Sequence, residues 1–568
     1  MINAREILTL QFGNYSNYIG THWWNIQESA FSYDCEGGTG EICHDVLYRQ
    51  GINHNKQITY TPRLLLLDLE GSLKHLSQDG ELYGTGLKRS GDLADERFVH
   101  QECVKKLKED LAWKASDVEM IVEPESNKNE FQLDLDKEEL NVYEKDYNLA
   151  QNVDSWADFL YARYHPRTIH VIKQYNHSNE TQIFDTYSSG VQLWQDDHFE
   201  EDYCDRIRQY VEECDFLQGF QTICDAFNGF AGLASQCLEH LNDEYGKANL
   251  VIPVYSPRNI LYENADAFMS DSIRVVNSAF LFHRLAEHAS TFIPLSIHDR
   301  VWRALESVRQ LPHLDYIPDN LYQTSAILAS YLDTITLKYR LTNAQSTNTM
   351  AGFCADLNNY GRKLAAAGLA IPFPMNFDDD LIDCLDKFEE PLFTQFTPNC
   401  NIGTNYVVQS VSVRGIPIQR LKRPPQQAKE QIHMPAYRCQ SVSEMFQFYL
   451  QCVNHSSLAH VTSVKAALST RVPFPIEMLD RRLTTSGFIN IFKKRHLEEK
   501  VQSVTCLAIA QSSNEIGDML ESLYKEAKRL KISKLVRFKA AGLEEDDYEE
   551  TLEGLLLFKD NYEDNYEL

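Results

Sequence analysis

Four consecutive leucines, Leu64 to Leu67, run into Asp68-Leu69-Glu70-Gly71, and this stretch constrains the fold more than any other. A strand with one face in water alternates apolar and polar residues, because successive side chains point to opposite faces. An unbroken apolar run needs cover on both faces, which is the setting of a parallel strand between helical layers. REILTLQFG, PRTIHVIKQY, FLQGFQTI and ANLVIPVYSP read as further strands. Helical stretches separate them. In NYIGTHWWNIQESA, Ile19, Trp23, Ile26 and Ala30 recur at helical spacing, and Asn17 is placed to cap. Strands alternating with helices predict an α/β fold with a parallel, doubly wound sheet.

With 568 residues the chain has room for several domains or one multi-lobed core. Its net charge of -28 argues against binding nucleic acid, whose phosphates are held by clustered lysine and arginine. It argues equally against electrostatic docking on anionic lipid. No apolar run approaches the roughly 20 residues that span a bilayer. MINAREILTL has neither the pattern of a secretory signal nor that of a mitochondrial transit peptide. Thirteen scattered cysteines read as free thiols in a reducing compartment. Cys35, Cys43 and His44 have a spacing that fits no common zinc site, so no metal is expected. The expected location is the cytosol, with docking on an organelle surface left to a partner.

Two regions break the rhythm. From about 71 to 150 the chain is charged; DERFVHQECVKKLKEDLAWKA reads as helix, and EPESNKNEFQLDLDKEELNVYEKDYN as a partly mobile acidic loop. RLKRPPQQAKEQIHMP reads as a basic, proline-bearing loop. Further on, Ile516, Leu520, Leu523, Ala527 and Leu530 share a helix face, and Ser512 and Glu515 have capping-box spacing. In EEDDYEETLEGLLLFKDNYEDNYEL, 11 acids stand against the single Lys559, read as a solubilising tail or a partner-facing one.

Ligands of open parallel sheets sit outside the carboxyl ends of the strands. Four loops there are candidates. In the first, Gly13 gives a tight turn, and Asn14 and Asn17 offer amide donors. In the second, Asp68 and Glu70 could reach a metal or its waters. The third is NVDSWADF, and the fourth is DAFNGFAGLA, with Gly229 and Gly232. A phosphate cradle needs consecutive backbone N–H groups at a helix N-terminus with no side chain in the way. Phe227 and Phe230 would block such a cradle or turn inward as core. On residues alone, the turn stands between a cradle and a strand–turn–helix packed for its own sake. HWWN reads as aromatic core, and His165 and Arg167 around Pro166 as a polar anchor for a turn. The chain has no nucleophile elbow, no GxxxxGK[ST] and no HExxH.

Taken together these segments resemble tubulin. REILTLQFGNYSNYIGTHWWN is similar to its N-terminus, YTPRLLLLDLEGSL to its second strand, and CDFLQGFQ to its CD-x-LQGFQ segment. VYSP and VVNSAFLFHRLAEHAS resemble the stretch that contacts the base, LYQTSAILASYL the core helix, and DLNNYGRKLAAAGLAIPFP a further tubulin segment. NYVVQSVSVRGI and TCLAIAQSSNEIGDMLESLYKEAKRL are similar to a later strand and the C-terminal helix. Within that superfamily, THWWN, the SWADF and YHPRT segments and the acidic insert resemble the Misato family, the mitochondrial distribution and morphology proteins.

The resemblance implies a tubulin-like fold. Residues 1–315 would form a Rossmann-type domain with the acidic insert, 316–510 the core helix and a second mixed α/β domain, and 511–568 C-terminal helices and the acidic tail. It implies roles in mitochondrial distribution and shape, spindle microtubule assembly and chromosome segregation. Tubulin and the cytosolic chaperonin are the implied partners. Locations on the mitochondrial outer surface and the spindle go with them. It also implies a GTP site, whose polar candidates here are Asn14, Asn17, Asp68, Glu70, Gly229, Gly232, Asn264 and Asn277, with Glu287 beside them. Departures matter at that site. The glycine-rich phosphate turn becomes Phe227-Asn228-Gly229-Phe230-Ala231-Gly232-Leu233, and the first loop becomes Asn14-Tyr15-Ser16-Asn17. The third loop keeps Trp156 and loses its glycine. In the hydrolysis loop Asn358 is kept, but Tyr360 replaces the acid that would orient a water. The expectation is a non-enzymatic homologue with no cofactor. The alternative is a GTP-binding homologue with weak GTPase or filament-forming activity.

Overall fold

The structure is a computed structural model that describes residues 5–31, 40–52, 58–76, 128–137, 142–143, 145–177, 183–257, 265–302, 307–342, 348–388, 391–403, 405–428, 430–455, 457–496 and 499–563. The strands of the first sheet are β1 (Ile7–Phe12), β4 (Leu64–Glu70), β5 (Ile169–Asn176), β6 (Gly219–Asp225), β7 (Ala248–Tyr255), β8 (Thr291–Phe292) and β9 (Leu295–Ser296). They run in the order β5-β4-β1-β6-β7-β8, with β9 also on β7, and every pairing is parallel. The segment read as one strand from Tyr60 is divided at Arg63. Its first part, β3 (Ile58–Pro62), turns back on β2 (Tyr48–Ile52) as an antiparallel hairpin.

The leucine run behaves as its continuity requires. Leu64 and Leu66 lie in the core on one face of the sheet, and Leu65 and Leu67 in the core on the other. On the first face lie α1 (Asn14–Ser29) and α7 (Leu321–Ile335). On the second lie α3 (Tyr187–Trp194), α4 (Asp197–Glu212), α5 (Gly229–Tyr245) and α6 (Ala265–His288). Helix α1 begins at Asn14, so Asn17 is inside it and not at its cap as the spacing had indicated. Trp23 and Trp24 are fully buried, as core aromatics are. His22 is buried with them; burial pushes its imidazole down to about 3, and its Nε2 lies 2.8 Å from the Tyr322 carbonyl.

Every residue of α7 from Tyr322 onward is buried, as befits a helix covered all round. It packs against α1 on one side and the second sheet on the other. That sheet holds β10 (Ala366–Ala370), β11 (Thr394–Gln395), β12 (Val408–Arg414), β13 (Leu458–Val464) and β16 (Cys506–Ser512), in the order β11-β10-β16-β12-β13. A two-stranded ladder of β14 (Leu468–Ser469) and β15 (Ser503–Val504) stands beside it. At the end of α7, the buried Asp333 pairs with the guanidiniums of Arg340 (3.0 Å) and Arg414. Burial opposes ionisation of Asp333, yet the two cations outweigh it and hold the carboxyl below its usual range.

Part of the acidic insert is folded and not loop. Asn129 caps α2 (Glu130–Asp136), accepting from the Gln132 N–H, and Phe131 is buried. The Gln132 side chain donates to the carbonyls of Ala157 and Leu160, which ties the insert to the turn at 156–160. DERFVHQECVKKLKEDLAWKA and Cys35 lie outside the described residues.

The C-terminal acids also fold. After α8 (Met350–Leu357), α9 (Val442–Val453) and α10 (Glu515–Lys528), helix α11 (Glu545–Asp560) packs on α10 and α6 through Tyr548, Thr551, Leu555 and Phe558. The tail reading stopped at charge. It missed that Tyr548, Leu555 and Phe558 recur on one face of that helix. Ser512 lies in β16 and caps nothing; Asn514 stands at the start of α10. No described helix is long and apolar enough to cross a membrane.

Candidate functional site

A cavity of about 450 Å³ opens at the carboxyl ends of the parallel strands, and Asn14, Tyr15, Asp68, Leu69, Asp225 and Asn228 are among its lining. Two helix N-termini face it, those of α1 and α5. Each has backbone donors that could hold an anion. At both, donors are already taken by the protein itself.

At α1 the acceptor is Asp225, the last residue of β6. Its carboxylate accepts the N–H of Ser16 at 2.8 Å and of Tyr15 at 3.3 Å, and the Asn228 side-chain amide at 3.2 Å. A carboxylate from the next strand thus sits where the α1 dipole would attract a phosphate. Gly13 makes this possible. It has φ 104, and an added Cβ would lie 2.6 Å from the Asp225 oxygen.

At α5 the Gly229 N–H donates to the Phe184 carbonyl at 3.1 Å. The Phe230 N–H goes to the Asn228 side chain at 3.0 Å, and the Ala231 N–H to the Asn228 carbonyl at 3.1 Å. Phe230 is 2 % exposed, turned inward over Gly13, with Phe184 edge-on at 5.0 Å. Phe227 is half-buried at the rim, under the Arg274 guanidinium at 5.0 Å.

The glycines of the turn serve packing. An added Cβ on Gly232 would lie 2.0 Å from the Tyr187 carbonyl oxygen, and one on Gly190 would lie 1.9 Å from that of Gly229. Helices α3 and α5 therefore touch backbone to backbone. Asn277, placed at a nucleotide base by the tubulin resemblance, is buried and used three times. It accepts the Tyr187 N–H at 2.7 Å and donates to the carbonyls of Asp185 (2.7 Å) and Phe227 (2.9 Å).

The other candidates divide. Asn17 donates to the Leu67 carbonyl and to Asp68, each at 3.0 Å. Asp68 also accepts from the Trp156 indole at 2.8 Å and the Leu69 N–H at 2.9 Å. The retained tryptophan of the third loop therefore anchors this acid. Asn14 lines the cavity, whereas the Glu70 side chain is exposed and does not. Asn264 lies outside the described residues. Glu287 lines a different hollow with Asn358 and Lys363. His165 anchors its turn, its ring accepting the Arg167 N–H at 3.2 Å.

Among the described residues no lysine or arginine lines this cavity, while Asp68, Asp225 and Asp319 do. Burial pushes Asp225 up to about 7 against the pull of its N–H donors, with Asp68 adding to the rise. Burial raises Asp68 too. Donors already paired, an acidic lining and an inward phenylalanine do not fit a triphosphate. In the loop that the resemblance matches to tubulin's hydrolysis loop, Asn358 donates to the Ser290 carbonyl at 3.2 Å, and Tyr360 is 84 % exposed at φ 56. Asp225 and Phe184 escaped the sequence reading. A lone acid closing the strand segment GFQTIC was the available sign of the first. Phe184 arrives from 45 residues before Gly229, with no local sign.

The raised acid predicts a pH dependence. Below about pH 4 Asp225 is protonated in both folded and unfolded chains; between about 4 and 7 only the unfolded chain ionises, so stability falls as pH rises through that window. Asp225→Asn keeps an acceptor for the Ser16 N–H and removes this titration. Urea unfolding at about pH 5 and about pH 8 should show a smaller stability difference in the variant than in the parent, by on the order of a few kcal/mol. An equal slope in both would contradict the assignment.

A parallel sheet crossed by a buried helix, a second mixed sheet and packed C-terminal helices define a tubulin-like protein, here with its strand-end donors paired internally. Residues 147–341 match the family described as Tubulin domain, and residues 5–137 the one described as Misato Segment II tubulin-like domain. Protein misato of Drosophila melanogaster is 43% identical over 574 residues, 99% of each chain. Protein misato homolog 1 of Danio rerio is 32% identical, over 97% of this chain and 96% of its own. Its Homo sapiens counterpart is 31% identical over 97% of each. The chain belongs to the Misato family.

Proposed function

We propose that this chain acts through protein surfaces as a non-enzymatic tubulin-like protein, without coupling polymerisation to GTP hydrolysis. The observation that carries the reading is the Asp225 carboxylate on the N-terminus of α1. Tyr360 in place of an acid supports it, because a side chain without a carboxylate does not activate water. The biological setting rests on the family resemblance: mitochondrial distribution and morphology, spindle microtubule assembly and chromosome segregation. Tubulin and the cytosolic chaperonin are the partners, met in the cytoplasm, at the mitochondrial outer surface and on the spindle.

The second reading, a GTP-binding homologue, has the open cavity of about 450 Å³ in its favour. One experiment separates the two. Protein purified without added nucleotide is denatured with acid, and the released ligands are chromatographed. The expected result is no stoichiometric GTP or GDP, and no saturable signal when mant-GTP is titrated into the native protein. Stoichiometric nucleotide would overturn the proposal. Depletion that left spindles and mitochondria normal would count against the cellular part alone.

A further inference from the structure

On the outer face of the second helical layer, away from the strand-end cavity, three side chains of different chemistry converge. Glu200, Cys204 and His240 each bring one ligand atom to within 4.8 Å of the others, and all three residues are half-buried. Glu200 and Cys204 stand four residues apart on α4, and His240 on the facing α5. Residues four apart lie one above the other on a helix face, so this face of α4 presents an oxygen and a sulfur to an imidazole across the gap.

The mixture of donors is informative. Thiolate and imidazole favour a borderline-soft ion such as Zn²⁺, whereas Mg²⁺ and Ca²⁺ favour oxygen alone. Ligand atoms on a tetrahedral zinc are about 3–4 Å apart, so the present spread closes with small side-chain rotations. A ring floor backs the site. Trp194 lies 6.3 Å from the His240 ring, and Phe199 and Tyr203 stack at 6.0 Å beneath α4. Such apolar backing limits water around a metal and fixes the imidazole.

We propose that Glu200, Cys204 and His240 bind one Zn²⁺ that staples α4 to α5, with a water completing the tetrahedron. Binding replaces the S–H bond of Cys204 by an S–Zn bond, and the proton leaves to solvent; no electron is transferred. The staple joins the helix that carries the Gly229 turn to its neighbour in the same layer.

The test uses the full chain, stripped with chelator and titrated with Co²⁺ and then Zn²⁺. The expected result is one equivalent of Co²⁺ with a thiolate-to-cobalt charge-transfer band, displaced by Zn²⁺, and a melting temperature that rises on adding Zn²⁺. Cys204→Ser should abolish the band. His240→Gln should weaken zinc binding more than about 100-fold, beyond what loss of a supporting contact produces. Cys452→Ser, at an exposed cysteine on α9, should change nothing. Absence of saturable cobalt binding, or a band undiminished in Cys204→Ser, would overturn the proposal. The two variants lie on different helices, so if one does not fold, the affinity and band of the other decide.

Discussion

Alanine at Gly190 or Gly232 is expected to destabilise the nucleotide-free protein by about 3 kcal/mol or more, at the upper end of what overpacking produces. In a helix interior the same substitution should gain about 1 kcal/mol of propensity. The clash outweighs that gain, because the new methyl group meets a carbonyl oxygen of the neighbouring helix at 1.9 or 2.0 Å, and backbone cannot rotate away as a side chain can. Urea or thermal unfolding of each variant reads the effect. Were Gly232 kept for a phosphate and not for packing, its alanine variant would leave the nucleotide-free protein unchanged or up to about 1 kcal/mol more stable. The outcome therefore distinguishes helix packing from an anion cradle at that residue.

Asp333→Ala should cost about 3–5 kcal/mol, because it leaves two buried guanidiniums without their counter-charge. Arg340 and Arg414 reach Asp333 from beyond α7 and from the last residue of β12, so one carboxylate joins the spanning helix to the second sheet. Replacing all three residues by apolar ones of similar volume should be far milder, since the buried charges then vanish together. If the single and triple variants unfold at the same denaturant concentration, Asp333 has no such role.

The fold was legible where cover on two faces leaves its mark in composition. Leu64 to Leu67 announced a doubly covered parallel strand, and each leucine lies in one core or the other. The division at Arg63 was missed although Pro62, which closes β3, marks it, because the leucine run drew the whole stretch into one strand. The acidic C-terminal stretch was misjudged because charge density masked three apolar residues on one face of α11. At the site, the loop positions identified Asn17, Asp68 and Gly229 as neighbours of the strand ends and the tubulin resemblance added Asn277, but a residue type does not say which partner it will take. Asn277 could have faced a base; it faces three backbone groups. That choice depends on residues 184–187, remote in sequence from both the turn and α6.

The last described turn of the acidic helix ends beside the loop that carries Tyr360. Tyr562 exchanges hydrogen bonds with the N–H (2.8 Å) and carbonyl (2.9 Å) of Leu364, and the Asn561 carbonyl accepts from Arg362 at 2.7 Å. A reporter protein fused beyond this helix would therefore emerge next to Tyr360 and shade the surface around it. For imaging or pull-down work, a fusion at that end and one elsewhere in the chain are different reagents. A contact made through the Tyr360 loop would be lost to the first and kept by the second.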